Sequence, residues 1–445
     1  MQKLYTQITP NINGKSKEQE LIHVDNMQSA SCLSHKRLVG KNIYLDYNAT
    51  VPVYPESLEI MLEVMSYPTN PSSIHYFGQR ARGFIEKARL QIAKAVGIKS
   101  GFECIFVSSG TEANNLVLNS FKKKFKNGMI VTCVTEHLSV LNCAKSYNNT
   151  QIVKVDKDGI IDLYQLQQIL DRNKNLPQLV TVMFANNETG VIQPIEQVVE
   201  IAKRYKALVH SDCSQAFGKV PINVTEIQFD FITISSHKIG GPVGAAALIV
   251  KLPNIIIPQI IGGGQEKGVR AGTENVAAIA GFGLAAMFIP RMLEKIDEIK
   301  FLRQFMEDNI TSICPNIKIF GKRAPRLGNT SMILMPNVTA QSQIINFDIK
   351  GFAVSSGSAC SAGKVNKSHV LESMGMAQDE VECAIRVSMG WDTKKTEIEE
   401  FCKVWKELYV RMLTKIGGEN NLYYIKNLQN NFKVFLKSKN IPINV

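Results

Sequence analysis

The stretch Phe231-Ile232-Thr233-Ile234-Ser235-Ser236-His237-Lys238 joins an apolar, β-branched run to a polar turn that ends on an amine. Upstream, residues 207–210 form a second apolar run and lead into Ser211-Asp212-Cys213-Ser214-Gln215. Asp212 and Lys238 therefore each stand at the end of a strand-like segment. The same rhythm of strand, turn and helix extends outward from this pair. Strand-like runs occupy 103–107, 129–134, 151–155, 179–184 and 245–250, and helical patterns fill 111–124, 138–147, 162–171 and 194–205. Such alternation predicts an α/β fold with a mostly parallel, doubly wound sheet and helices on both faces. Ligands of such sheets bind beyond the carboxyl ends of the strands, where Asp212 and Lys238 fall.

After a Gly-rich segment at 261–272 the pattern changes. A long helical stretch at 274–309 precedes strand-like runs at 317–320 and 330–335, a helix near 341–346, a strand at 353–355 and a last helix at 395–415. The expected organisation is a large domain over 56–300 and a smaller C-terminal α/β domain over 301–416, with residues 42–55 joining the small domain. Residues 1–41 read as a poorly ordered extension, and 417–445 as an unassigned tail.

The chain has 445 residues, 45% hydrophobic and 20% charged, an ordinary balance for a globular protein. Its longest apolar runs, at 244–250 and 255–261, are far too short to span a membrane, and no apolar signal-like segment opens the sequence. About half of the net charge of +12 lies in the tails, with six Lys or Arg against three acids in 1–42 and four Lys against one acid in 416–445. No basic stripe interleaved with aromatics marks the body, so no specific nucleic-acid partner is expected. Nine cysteines are scattered without a C-x-x-C pair or zinc-type spacing, which points to a reducing compartment and to no metal site. The expected location is cytoplasmic, with the mitochondrial matrix as the alternative.

An Asp and a Lys so placed are what pyridoxal 5′-phosphate needs: the amine bonds the aldehyde, and the carboxylate keeps the ring nitrogen protonated. Cys360 stands apart from the other thiols because Ser356-Gly357-Ser358-Ala359-Cys360-Ser361-Ala362-Gly363 surrounds it with small residues, a setting in which a thiol can react. Further candidates each have a plainer reading. Ser108-Ser109-Gly110-Thr111-Glu112 follows a strand and opens a helix, which suits a phosphate or a simple N-cap. His137 starts a helix and could lie on a ring or merely face solvent. Asn187, in Asn186-Asn187-Glu188-Thr189-Gly190, could be turn chemistry alone. Gln215 could donate to a ring oxygen or be a surface polar residue. Arg386, flanked by apolar residues, needs either a ligand carboxylate or a structural acid. Gly262-Gly263-Gly264 does not match G-x-G-x-x-G, so a dinucleotide site is not supported.

Taken in order, these motifs closely resemble the cysteine desulfurases of the NifS/IscS type, within the class V aminotransferase-like enzymes. The resemblance runs from about residue 43 to about 412 and includes Asp46-Tyr47-Asn48-Ala49-Thr50, Asn187-Glu188-Thr189-Gly190, Ser236-His237-Lys238, Arg270-Ala271-Gly272-Thr273 and Ser355-Ser356-Gly357-Ser358-Ala359-Cys360. It implies the fold type I of pyridoxal-phosphate transferases, with Lys238 as Schiff-base lysine and proton carrier. Asp212 would pair with the ring nitrogen, Gln215 with the phenolic oxygen, and His137 would stack on the ring. Gly110, Thr111, Ser235 and His237 would hold the phosphate, with Thr273 reaching that of a partner subunit in a homodimer. Asn187 would sit between cofactor and substrate and, with Arg386, bind the carboxylate of L-cysteine.

Cys360 would take the sulfur as a persulfide and pass it to an iron–sulfur scaffold or another acceptor, including those for thiolated tRNA and cofactors. Beyond Cys360 serving as a transient iron–sulfur ligand, no metal is implied. Three features depart from the family: Cys213 follows the ring-pairing Asp, where Ala is common, the tail lacks the usual scaffold-docking segment, and residues 1–41 have no counterpart. A selenocysteine lyase or another class V enzyme is the alternative, and an inactive scaffold subunit is a weaker one.

Overall fold

The computed structural model describes residues 42–314, 317–357 and 367–416. The expectations for the N-terminal extension, for the C-terminal tail and for Cys360 itself lie outside these residues. The strands are β1 (Ile43–Tyr44), β2 (Glu103–Val107), β3 (Met129–Cys133), β4 (Thr150–Val153), β5 (Gln178–Thr181), β6 (Leu208–Asp212), β7 (Phe231–Ser235), β8 (Ala246–Val250), β9 (Thr330–Leu334), β10 (Phe352–Ala353), β11 (Ser355–Ser356) and β12 (Ala384–Ser388).

Seven of them form one sheet in the order β2-β8-β7-β6-β5-β3-β4. Strands β4, β3, β5, β6 and β7 run parallel, while β8 is antiparallel to both β7 and β2. The carboxyl ends of β2, β3, β5, β6 and β7 thus open on one edge of the sheet.

Continuous burial explains why these strands read as unbroken apolar runs rather than as alternating ones. Within β2, Cys104 and Phe106 pack into one core and Ile105 and Val107 into the other, the two-residue period of a sheet covered on both faces. The helices preceding and connecting these strands are α1 (Pro55–Met65), α2 (Tyr76–Ala95), α3 (Gly110–Lys124), α4 (Leu138–Lys145), α5 (Leu163–Arg172), α6 (Ile195–Arg204) and the short α7 (Val224–Ile227). Side chains cap several of them: Ser109 accepts from Glu112 N, His137 from Ser139 N and Asp162 from Gln165 N.

The long helical stretch expected at 274–309 is three helices, α8 (Val276–Met287), α9 (Ile289–Glu294) and α10 (Ile296–Ile313). Pro290 in the first turn of α9 cannot supply the N–H that would continue α8, so the chain restarts there. The strand expected at 317–320 is reduced to a single bridge, Ile319 to Ile333.

Beyond α10 the chain forms α11 (Ala340–Ile349), α12 (His369–Ser373), α13 (Gln378–Glu382) and α14 (Lys395–Ile416) around a three-stranded antiparallel sheet, β11-β12-β9. The N-terminal β1 pairs in parallel with β10, and Asp46 bridges to Ser388, so the first described residues belong to this smaller layer. Its core is aromatic: Phe347 stacks on Phe401 and Trp405 on Tyr409, with Trp405 a fully buried residue of α14. No helix among the described residues is long and apolar enough to cross a membrane. Trp405→Ala should destabilise the protein by about 3–5 kcal/mol through the cavity it leaves, which a shift of the denaturant midpoint would measure.

Candidate active site

Five loops at the carboxyl edge of the large sheet converge with the segment after β1. Asp212 is the last residue of β6, Ser235 the last of β7, and Lys238 ends the 3-10 turn that follows. The turn after β2 opens α3, His137 follows β3, and Asn187 lies beyond β5.

Lys238 Nζ donates to the main-chain oxygens of Asn48 (2.6 Å) and Ala49 (2.9 Å). Burial, reinforced by the guanidinium of Arg386, lowers its pKa to about 8, against the pull of Asp212 and Asp46. The buried Asp212 carboxylate accepts from Asn114 Nδ2 (2.7 Å) and from the Ser214 N–H (2.9 Å), both neutral donors.

His137 caps α4. Its Nδ1 accepts the Ser139 N–H (3.2 Å), which leaves the ring proton on Nε2. The ring is open to solvent, yet desolvation by the cleft walls lowers its pKa, aided by Lys238 and His369 and opposed by Asp212. His237 is pushed lower, to about 4, by burial and by Lys238. Both imidazoles are therefore neutral at physiological pH.

Ser235 Oγ lies 3.1 Å from Ser214 Oγ, beside Gly110 at the start of α3. A Cβ on Gly110 would stand 2.5 Å from Ser235 Oγ, so only glycine lets the helix N-terminus and these hydroxyls share one cradle. Thr111 is exposed at the same helix end, whose first N–H groups have no partner within the helix. Thr273 is exposed beyond Arg270, and Arg270 pairs through two nitrogens with Glu112 (2.8 and 3.3 Å), tying its segment to the turn after β2.

Arg386, on β12, turns its fork to two partners: one nitrogen donates to Asp46 Oδ1 (2.7 Å), the other to the main-chain oxygen of Asn187 (3.0 Å). The structural acid that the sequence left open is thus Asp46, and the buried Nε of Arg386 has no hydrogen-bond partner among the described residues. Ser355 of β11 stands in register with Arg386 on β12, and Ser355 and Ser356 precede Cys360 by five and four residues in the sequence. Ser368 donates its hydroxyl to Glu188 while capping α12.

Several residues of the site carried no sequence signal. Asn48, inside a quoted motif but given no role, is buried at the centre of a hydrogen-bond hub. Its main-chain oxygen takes Lys238 and Gln215, and its amide bonds Asn187, Thr330, Lys219 and Asn329. Gln215 does not simply face the site: its Nε2 donates to Asn48 (2.9 Å) and its Oε1 accepts from Lys219 (2.6 Å). Glu136 and Glu188, each beside a candidate residue, are buried acids whose pKa burial raises, markedly for Glu136.

These residues fit pyridoxal 5′-phosphate. An amine that is partly free base can take the aldehyde, a carboxylate served only by neutral donors can take the ring nitrogen, and the Gly110 cradle matches a phosphate.

A family model described as aminotransferase class-V matches residues 43–401. "Cysteine desulfurase IscS" of Dictyoglomus turgidum is 36% identical over 382 residues, covering 84% of this chain and 96% of that one. "Cysteine desulfurase IscS" of Rickettsia typhi is 38% identical over 368 residues, covering 80% and 88%. Among solved structures, a NifS-like protein from Rickettsia africae superposes with a TM-score of 0.77 at 41% identity, covering 83% of this chain and 99% of that one.

Only the free amine of Lys238 can bond an aldehyde, and lowering its pKa moves that fraction into the neutral range. The rate at which cofactor-free protein captures pyridoxal 5′-phosphate should rise with pH and level off above about pH 8. Stopped-flow absorbance measures this, and a midpoint at the ordinary lysine value of 10.5 would contradict the tuning.

Proposed function

This chain belongs to the aminotransferase class-V family, among the cysteine desulfurases of the NifS/IscS type, and we propose that it converts L-cysteine to L-alanine and keeps the sulfur on Cys360. The observation that carries this reading is the convergence of Lys238 and Asp212, at the carboxyl edge of the large sheet, with Arg386 on β12 of the small sheet, β11 beside it preceding Cys360 in the chain.

Bound pyridoxal 5′-phosphate supplies an electron sink for the carbon that bears the substrate amine. Lys238 would bond the cofactor at rest and, once displaced by L-cysteine, carry the proton off that carbon; its lowered pKa leaves it basic yet partly unprotonated. Asp212 would hold the ring nitrogen's proton, His137 would lie on the ring as a neutral imidazole, and Gly110, Thr111, Ser235 and His237 would hold the phosphate. Arg386, pre-aimed by Asp46, would share its fork with the substrate carboxylate, alongside Asn187.

The Cys360 sulfur then bonds to the substrate sulfur as the Cβ–S bond breaks. The Cβ carbon, reprotonated, leaves in alanine, and Cys360 holds a persulfide. An iron–sulfur scaffold or another acceptor would remove that sulfur.

We further propose a homodimer. Ile74 and Ile261 are each 90% exposed, and Leu62 and Met65 on α1 and Leu90 on α2 are also exposed. Apolar side chains displayed in such number call for a cover, and a second copy would also bring its Thr273 to the phosphate. Wild type should sediment at twice the 49.5 kDa chain mass, and Ile74→Asp with Ile261→Asp should shift it toward the single chain in analytical ultracentrifugation.

The activity is tested by incubating the purified protein with L-cysteine and dithiothreitol and following its visible band, alanine and sulfide. A band lost in Lys238→Ala and alanine release abolished in Cys360→Ala are expected. A bound cofactor without cysteine-dependent alanine would move the reading to another class V substrate, and no cofactor would remove the assignment.

A further inference from the structure

Lys219 lies four residues beyond Gln215 and is only 6% exposed. Its Nζ donates to Gln215 Oε1 at 2.6 Å and to Asn48 Oδ1 at 2.9 Å, and neither acceptor is charged. A buried amine with no acid against it is poorly placed to stabilise a fold, since an apolar side chain of the same length would avoid the desolvation. Burial, together with the charges of Lys238 and Arg386, accordingly pulls its pKa well below the ordinary lysine range. What distinguishes Lys219 is the pair of amides it touches. The other end of the Gln215 amide donates to the main-chain oxygen of Asn48 at 2.9 Å, the same oxygen that accepts Lys238 Nζ at 2.6 Å. The other end of the Asn48 amide donates to the main-chain oxygen of Asn187 at 3.1 Å, which also accepts from Arg386.

We infer that Lys219 is a positioning residue of this active site: by donating to Gln215 Oε1 and Asn48 Oδ1 it fixes the planes of both amides, so that the second N–H of Gln215 Nε2 is held toward the phenolic oxygen of the cofactor. The inference rests on the desulfurase reading. Asn48 Oδ1 has a second donor in Asn329 Nδ2 (3.0 Å), and Asn48 Nδ2 a second acceptor in Thr330, so Asn48 would keep its orientation without the amine. Among the described residues Gln215 Oε1 has no such reserve, and its amide is the one that Lys219 governs. Without it, a buried carbonyl oxygen loses its donor and the side chain turns to seek another.

The test is a pH titration of the visible band of the holoenzyme, run beside steady-state kinetics with L-cysteine. A donor on the phenolic oxygen draws off electron density and lowers the proton affinity of the nitrogen next to it. Lys219→Met, which keeps the length and removes the donor, should raise the band's midpoint by about one pH unit. It should also lower kcat about tenfold with KM little changed. Gln215→Leu should give the same shift, the double variant no more than either alone, and Lys219→Gln, which can still donate, should restore the midpoint.

An unmoved midpoint in Lys219→Met, or additive shifts in the double variant, overturns the positioning role while wild-type alanine release leaves the desulfurase reading intact. If neither Lys219→Met nor Lys219→Leu folds, Lys219 is a structural residue and the inference falls. A wild-type protein without a cofactor band or alanine release removes the function and this inference together.

Discussion

Asn48 is the residue on which the two layers of this protein meet. It is 1% exposed, and every polar atom it has is bonded. Its N–H donates to Ser388 Oγ on β12 and its amide to Thr330 on β9, while its oxygens receive Lys219, Asn329, Lys238 and Gln215. Each such bond is worth only about 0.5–1.5 kcal/mol net. The cost of leaving any one of them unmade in a dry interior is larger, so the set holds or fails together. The small sheet and the carboxyl edge of the large sheet are thereby held in one arrangement, and the cleft between Lys238 and Arg386 has fixed walls.

Desolvation is the largest influence on the groups lining that cleft, and it works in opposite senses on the two kinds. It lowers Lys238, His137 and His237 toward the neutral form and raises Glu136 and Glu188 toward theirs. Beside them, Arg386 is paired with Asp46, and Asp212 accepts from two neutral donors. Groups held in place by such partners are preorganised around the few atoms where bonds are to be made and broken.

The sequence made the large sheet legible because strands buried on both faces leave unbroken apolar runs, and Lys238, Asp212 and His137 could be placed because each follows such a run. Helices α1 and α2 escaped notice. Their outward faces carry exposed Leu62, Met65, Tyr76 and Leu90, which blurs the apolar stripe that marks an amphipathic helix. The α8–α9 break was readable at Pro290, but the helical periodicity on both sides overrode it. The partner of Arg386 was not readable at all: Asp46 lies 340 positions away, and one sequence carries no distance between them. The same holds for Lys219 and the hub of Asn48, whose meaning is entirely in what they touch.

The pairing of β1 with β10, and of Asp46 with Ser388, has a consequence for how the protein is made. A ribosome releases the chain from its N-terminal end, and the large sheet, from β2 to β8, can close on itself as it emerges. The first strand cannot. Its partners, and those of Asn48 on β9 and β12, follow the whole large sheet in chain order, so Lys238 stands without its full surroundings until they have emerged. A nascent chain therefore holds Lys238 and Asp212 before it holds Arg386 and the partners of Asn48 on β9 and β12. The site is complete only when β1 and the residues after it join β9, β10 and β12.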